Sequence, residues 1–331
     1  MRKHLRTILG VAISVAAVAA LFRAVPLRAL GDAISSANAG YILAGLAALA
    51  CGYTLRALRW WLMLRSGNPA VKFGSALRVL LVGFAANNVL PLRAGDALRG
   101  FGFGEELRAP TALVVASLAV ERLLDLLSLL VLGCCVIRFG GLAAVPQRMA
   151  ALLQWMTLAG ALALGAALLF SRAAEQLALR LLQRLVREGS RRESLRNAVS
   201  GACGFLHGLG GARTANLFVL SIAAWLCELA LYLSVARALD ARFAFAWCCL
   251  VLVGANLTTI VPSSPGYIGT FHASVVALLL LAGISRGDAM AYAVLVHGAL
   301  WCGVTLAGAV AYLSLRAVRR AASPSPVGEL G

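Results

Sequence analysis

The sequence predicts an all-α polytopic integral membrane protein with about six transmembrane helices plus two opposed re-entrant (broken) helical hairpins in an inverted repeat. Two observations predict it. Of 331 residues, 61% are hydrophobic and only 13% are charged, where a soluble domain carries about 25% charged residues; the mean hydropathy is +0.87. The second observation is internal: VGFAANNVLPLRAGDALRGF at 82–101 shares its skeleton with VGANLTTIVPSSPGYIGTFH at 253–272. Aligned without gaps, Val82, Gly83, Pro91 and Gly95 fall on Val253, Gly254, Pro262 and Gly266. Each copy follows an apolar run and contains residues that end a helix: Pro91 and Gly95 in the first, Pro262, Pro265, Gly266 and Gly269 in the second. Proline lacks the N–H, and glycine tolerates non-helical angles. Irregular backbone at membrane depth is tolerated only where protein or a watery cavity covers it, so the two breaks point to a binding or transport site.

Taken in order, residues 1–6 are basic and precede an apolar run at 7–22. It reads as an uncleaved first span, because it is long for a signal h-region and many spans follow. A second span at 39–62 ends in Arg56, Arg59, Trp60, Trp61 and Arg65, an aromatic and basic anchor expected at the cytoplasmic interface. The run at 73–92 leads into the first break, after which GDALRGFGFGEELR is too polar to cross lipid. Spans are expected at 111–137, 152–170 and 214–236, then the second broken pair at 243–284, then a span at 289–315.

Charge bias orients these elements. Residues 171–213 contain Arg172, Arg180, Arg184, Arg187, Arg191, Arg192, Arg196 and Arg213 against Glu175, Glu188 and Glu193, and belong in the cytoplasm with both termini. Parity then requires 73–92 to re-enter from the cytoplasmic side, which leaves the loop around Arg138 and Arg148 outside. For the second hairpin, re-entry and two full crossings have the same parity; only the repeat favours re-entry. The expected organisation is one transmembrane domain at 1–320, with repeat units at 39–137 and 214–315. In the linker at 171–213, Leu177, Leu181, Leu182 and Leu185 recur near helical spacing, as in an interfacial amphipathic helix. The Ser-Pro tail at 321–331 reads as disordered.

The net charge of +17 is mostly arginine and suggests contact with anionic lipid headgroups. Basic stretches without interleaved aromatics argue against nucleic acid. Eight cysteines show no CxxC or metal-ligand spacing, so neither metal nor cofactor is expected and they read as small core hydrophobes. No GxxxxGK[ST] occurs, which argues against direct ATP hydrolysis.

Chemistry falls on intramembrane charges, which are costly in lipid. Glu121, Arg122 and Asp125 share one helical face; they either fix helix packing as an internal ion pair or serve substrate or proton. Glu228 and His297 lie in later spans, as a proton relay or as partners of backbone groups. At the first break, a helix starting near Gly95 presents Asp96 at its N-terminus and Arg99 one turn on, with Arg93 just before. Arginine's planar fork and a helix N-terminus both suit a phosphate, so an anionic lipid headgroup held by Arg93 and Arg99 is the expected ligand; positive-inside anchoring is the competing reading. Asn87 and Asn88 either bind headgroup oxygens or cap freed backbone groups. In the second break Ser263, Ser264, Tyr267, Thr270 and His272 supply neutral donors and acceptors.

NNVLPLRAGDALR, VERLLDLL at 120–127, VPSSPGYIGTFHASVVALLLLAGIS and the histidine of AVLVHGAL resemble the lysylphosphatidylglycerol synthase transmembrane region, or flippase-like, family over nearly the whole chain. The resemblance implies a lipid-translocating membrane domain whose partners are membrane lipids: anionic phospholipid, polyprenyl-linked or hopanoid lipid. The chain ends without the soluble aminoacyl-transfer domain of the fused synthases, so synthase activity is not implied. The expected function is flipping or scrambling of an anionic lipid or lipid-linked precursor across the bacterial inner membrane, without enzymatic chemistry. The alternatives are a membrane-embedded transferase using Asp96, Glu121 or Asp125 as base, and a non-catalytic partner of a lipid-synthesis enzyme.

Overall fold

A computed structural model describes residues 31, 35–90, 93–142, 144–186, 189–241, 244–259 and 265–322. The expected first span at 7–22, Pro91, Pro262, Ser263, Ser264 and the tail from 323 onward lie outside them. The described residues form helices and no strands: α1 (Ala39–Gly67), α2 (Phe73–Val89), α3 (Ala94–Phe101), α4 (Gly104–Leu107), α5 (Thr111–Phe139), α6 (Gln147–Leu169), α7 (Ser171–Leu185), α8 (Ser190–Ala238), α9 (Phe245–Thr258), α10 (Thr270–Leu281) and α11 (Arg286–Ala322).

Four of these, α1, α6, α8 and α11, are long and apolar enough to cross a membrane. At 1.5 Å per residue, the 29 residues of α1 reach about 44 Å, beyond the roughly 30 Å hydrocarbon core. Its start is fixed by Asn38, whose side chain accepts the Gly40 N–H at 2.9 Å. The 29-residue α5 matches the span expected at 111–137 in length but carries Glu121, Arg122 and Asp125. In α8 the backbone breaks at Gly210 (φ 59°, ψ 171°), so the apolar part beyond it corresponds to the span expected at 214–236. Preceding it, α7 is the helix expected in the arginine-rich linker, with Leu177, Leu181 and Leu185 exposed.

Both sequence breaks fold as helix–break–helix hairpins. In the first, α2 and the α3–α4 segment run antiparallel: Gly83 faces Gly95 and Arg99, Asn87 faces Gly95, and Ser75 and Arg78 both reach Glu106, at 3.1 and 3.2 Å. The close approach depends on glycine, since a Cβ on Gly95 would overlap the Gly83 carbonyl oxygen. In the second, α9 packs on α10, with Gly254 opposite Ser274 and Leu278. A 3-10 turn at Pro265–Tyr267 leads into α10, with Gly266 and Gly269 at φ 69° and 96°, left-handed angles that side chains resist.

Two hydrophobic cores result. One gathers Trp60, Leu64, Val79, Leu80, Val114 and Leu124 around the first hairpin; the other gathers Leu231, Tyr232, Leu252, Val275, Tyr292 and Val296 around the second. Small residues tie the halves together, as is usual between helices in lipid. Gly52 of α1 meets the Ala224 carbonyl of α8, and Gly308 of α11 packs on Leu81 and Ala85 of α2.

Candidate functional site

Between the two hairpins lies a cavity of about 400 Å³, within the range of small-ligand sites. The first repeat unit contributes Tyr53, Arg56, Phe84, Asn87, Asn88, Arg93, Asp96, Arg122 and Asp125; the second contributes Trp225, Glu228, Asn256, Thr259, Gly266, Tyr267, Phe271, His297 and Trp301. Its walls are therefore apolar and aromatic with charged groups set among them.

The charges are paired across helices. Arg99 grips Glu121 with two parallel bonds of 2.9 Å, neither side chain showing any exposure, and its guanidinium lies 4.2 Å from the Trp60 ring centroid. Arg122 reaches Asp96 at 2.9 Å and Glu121 at 3.5 Å. Arg59 donates to Asp125 at 2.6 Å and to the Ser221 hydroxyl. Arg56 meets Glu228 at 2.8 Å while its guanidinium lies over Tyr53 and Trp225. Glu121, Arg122 and Asp125 thus share a face, yet none is paired best within it: Glu121 and Arg122 take their nearest charge partners from α3 and Asp125 from α1. Such pairing offsets the desolvation that a lone charge would suffer.

Arg93 is the exception. It pairs with no carboxylate among the described residues. Its backbone is left-handed (φ 53°) at the cap of α3, and its side chain crosses to the second hairpin. There it donates to the Thr259 carbonyl at 2.7 Å, the Thr259 hydroxyl at 2.8 Å and the Tyr267 hydroxyl at 3.0 Å.

The structure therefore separates the two arginines expected to share a phosphate. Arg93 lines the cavity; Arg99 is buried away from it, held by Glu121. Asp96 sits in the first turn of α3, as the spacing predicts. Asn87 acts as a cap: it accepts the Asp96 N–H at 3.2 Å and donates to the Asp96 carboxylate at 3.1 Å. Asn88 donates to Thr305 at 3.1 Å, and its carbonyl accepts from Trp301 at 3.4 Å.

In the second half, Thr270 donates to the Tyr267 carbonyl at 3.3 Å. His297 lines the cavity, donates through Nε2–H to the Gly266 carbonyl at 2.8 Å and stacks on Phe271. His272 lies beside it, 4.8 Å between ring centroids, and accepts the Gly269 N–H at 3.5 Å. No group of three or more metal-ligating side chains occurs among the described residues.

One expectation for α1 is overturned. Arg56, Arg59 and Trp60 are not an interface anchor: all three are buried, because Glu228, Asp125 and Ser117 draw them inward. Residues absent from the expected site, Arg56, Trp225, Asn256, Thr259 and Trp301, complete its wall. The signal that would have found Arg56 and Arg59 is charge balance: Asp125 and Glu228, placed in lipid-depth helices, each require a cation.

Comparison with known proteins adds one finding. The sequence model of the family described as lysylphosphatidylglycerol synthase TM region matches residues 7–308. No curated protein and no solved structure matches the chain.

Proposed function

The chain belongs to the lysylphosphatidylglycerol synthase TM region family and is an integral membrane protein linked to lipid metabolism; from that premise we propose that it translocates an anionic lipid or lipid-linked precursor across the bacterial cytoplasmic membrane. One observation carries the reading. Arg56, Arg59, Arg99 and Arg122 are each neutralised by a carboxylate, whereas Arg93 is not, and it lines a cavity walled by both hairpins. The surplus of positive charge therefore lies where a headgroup phosphate would sit, and arginine's fork matches its oxygens. Aromatic and aliphatic walls accept the adjoining lipid.

In this proposal the two hairpins are re-entrant and enter from opposite faces, so that their tips meet within the bilayer and line a polar path. Both termini face the cytoplasm. The transferase reading is less well supported, since Asp96, Glu121 and Asp125 are each already bonded to an arginine.

The test is transbilayer movement of labelled phosphatidylglycerol, phosphatidylcholine and polyprenyl phosphate in liposomes containing the purified protein. Faster movement of an anionic lipid, lost in Arg93→Gln with folded yield unchanged, is the expected result. No acceleration of any lipid, or acceleration indifferent to Arg93, would sink the proposal.

A further inference from the structure

Among the described residues, three hydrogen bonds run from the end of the first hairpin to the second hairpin, and all three come from Arg93. Their acceptors are weak for a guanidinium. Thr259 is the C-terminal cap of α9, where unpaired carbonyls carry only the partial negative charge of the helix end; Tyr267 offers a neutral hydroxyl. Every other described arginine around the cavity has a full carboxylate. The tips also touch directly, for a Cβ on Gly266 would lie 3.2 Å from the Asn88 carbonyl oxygen. By the repeat, Asn88 and Thr259 are equivalent positions, each at the end of the helix that leads into its break.

A phosphate brings full negative charge and several acceptor oxygens, and charge-assisted bonds to it are about twice as strong as those to neutral acceptors. To be gripped by two parallel bonds it must take an N–H of Nη2, the nitrogen shared by both forks of the guanidinium and now bonded to Thr259. We infer that Arg93 is a fastener released by the headgroup: anion binding withdraws it from the second hairpin and lets the tips part. This rests on the lipid-translocation reading and adds to it the coupling between binding and opening. An empty site stays shut because the only unneutralised arginine among the described residues that line it is occupied by the opposite tip. A neutral headgroup, having no charge with which to compete, leaves it shut.

The fastener is tested by loosening it without removing the cation. Thr259→Val with Tyr267→Phe deletes two of the three acceptors and keeps Arg93. Protein in phosphatidylcholine nanodiscs is titrated with short-chain phosphatidylglycerol and, separately, with inorganic phosphate, reading the tryptophan emission that disappears in Trp301→Phe. The double variant should bind phosphatidylglycerol about tenfold more tightly than the wild type, because the anion no longer displaces hydrogen bonds to a charged group. Thr259→Ser with Tyr267→Phe, which restores one hydroxyl to the double variant, should return toward wild-type affinity, and Arg93→Gln should not bind.

Unchanged or weaker binding by the double variant, with its melting temperature near wild type, overturns the fastener while leaving translocation standing. Should the double variant melt early, Tyr267→Phe alone must still bind more tightly, or the idea fails. Absence of any wild-type response, to phosphatidylglycerol and to inorganic phosphate alike, removes both proposals. A response to inorganic phosphate alone would keep the release of Arg93 and discard the lipid.

Discussion

Arg99 and Glu121 sit against each other with no exposure, and for such a pair, breaking it and removing it differ in cost. Glu121→Ala would leave a guanidinium buried without counter-charge, a loss of about 3–5 kcal/mol. Replacing both together by apolar residues of similar size, Arg99→Met with Glu121→Leu, leaves no charge to strand and should recover most of that loss. Thermal denaturation in detergent across the four-variant cycle measures the coupling; additive losses would show that the pair is not one unit. At this scale the charged face Glu121–Arg122–Asp125 was legible from spacing alone. Arg56 and Arg59 were not, because the anchor rule depends on depth. The expected span stopped at residue 62, whereas α1 runs on to Gly67. That sets Arg56 about 16 Å from the helix end, where it meets Glu228.

The hairpins test the same logic at the level of an element. Alanine is the better helix former, by about 1 kcal/mol over glycine, so Gly95→Ala would help an isolated α3. Here the added Cβ would strike the Gly83 carbonyl and the Asn87 backbone nitrogen, neither of which can swing aside. Gly254→Ala would meet the Leu278 Cδ1 at 2.5 Å, the mobile end of a side chain. Gly95→Ala should therefore reduce folded yield severely and Gly254→Ala only mildly, as judged by monodisperse protein recovered from membranes; equal loss would contradict the tight first hairpin. The aligned Val-Gly and Pro-Gly positions made both hairpins legible. Their unequal packing was not, since it depends on which atoms face each glycine across the turn. Nor did the repeat show that one tip would reach over to the other, because Arg93 aligns with Ser264 and has no counterpart.

For the whole molecule, the all-helical class and the membrane setting were legible in composition, and the long helices fall where hydropathy expected them. Orientation rests on charge parity, and the exposed Arg148 at the start of α6 decides it. Arg148→Cys should react with a membrane-impermeant thiol reagent from outside intact cells, above the background of the native cysteines. Reaction only after the cells are opened would reject re-entry of the first hairpin. The cavity itself was beyond sequence reasoning, because its two walls are far apart along the chain and meet only when the cores dock.

That docking sets an order of assembly. The groove in α11 where Gly308 receives Leu81 and Ala85 belongs to the last described helix, and the neighbouring Asn88–Trp301 contact joins residues 213 apart. At about 5–20 residues per second of synthesis, α2 waits on the order of 10–40 s for the surface it packs against. Through that interval a half-built chain presents a hairpin with buried-type arginines and no neighbour on one flank, so the nascent protein depends on the insertion machinery to shelter it until the C-terminal helix leaves the ribosome.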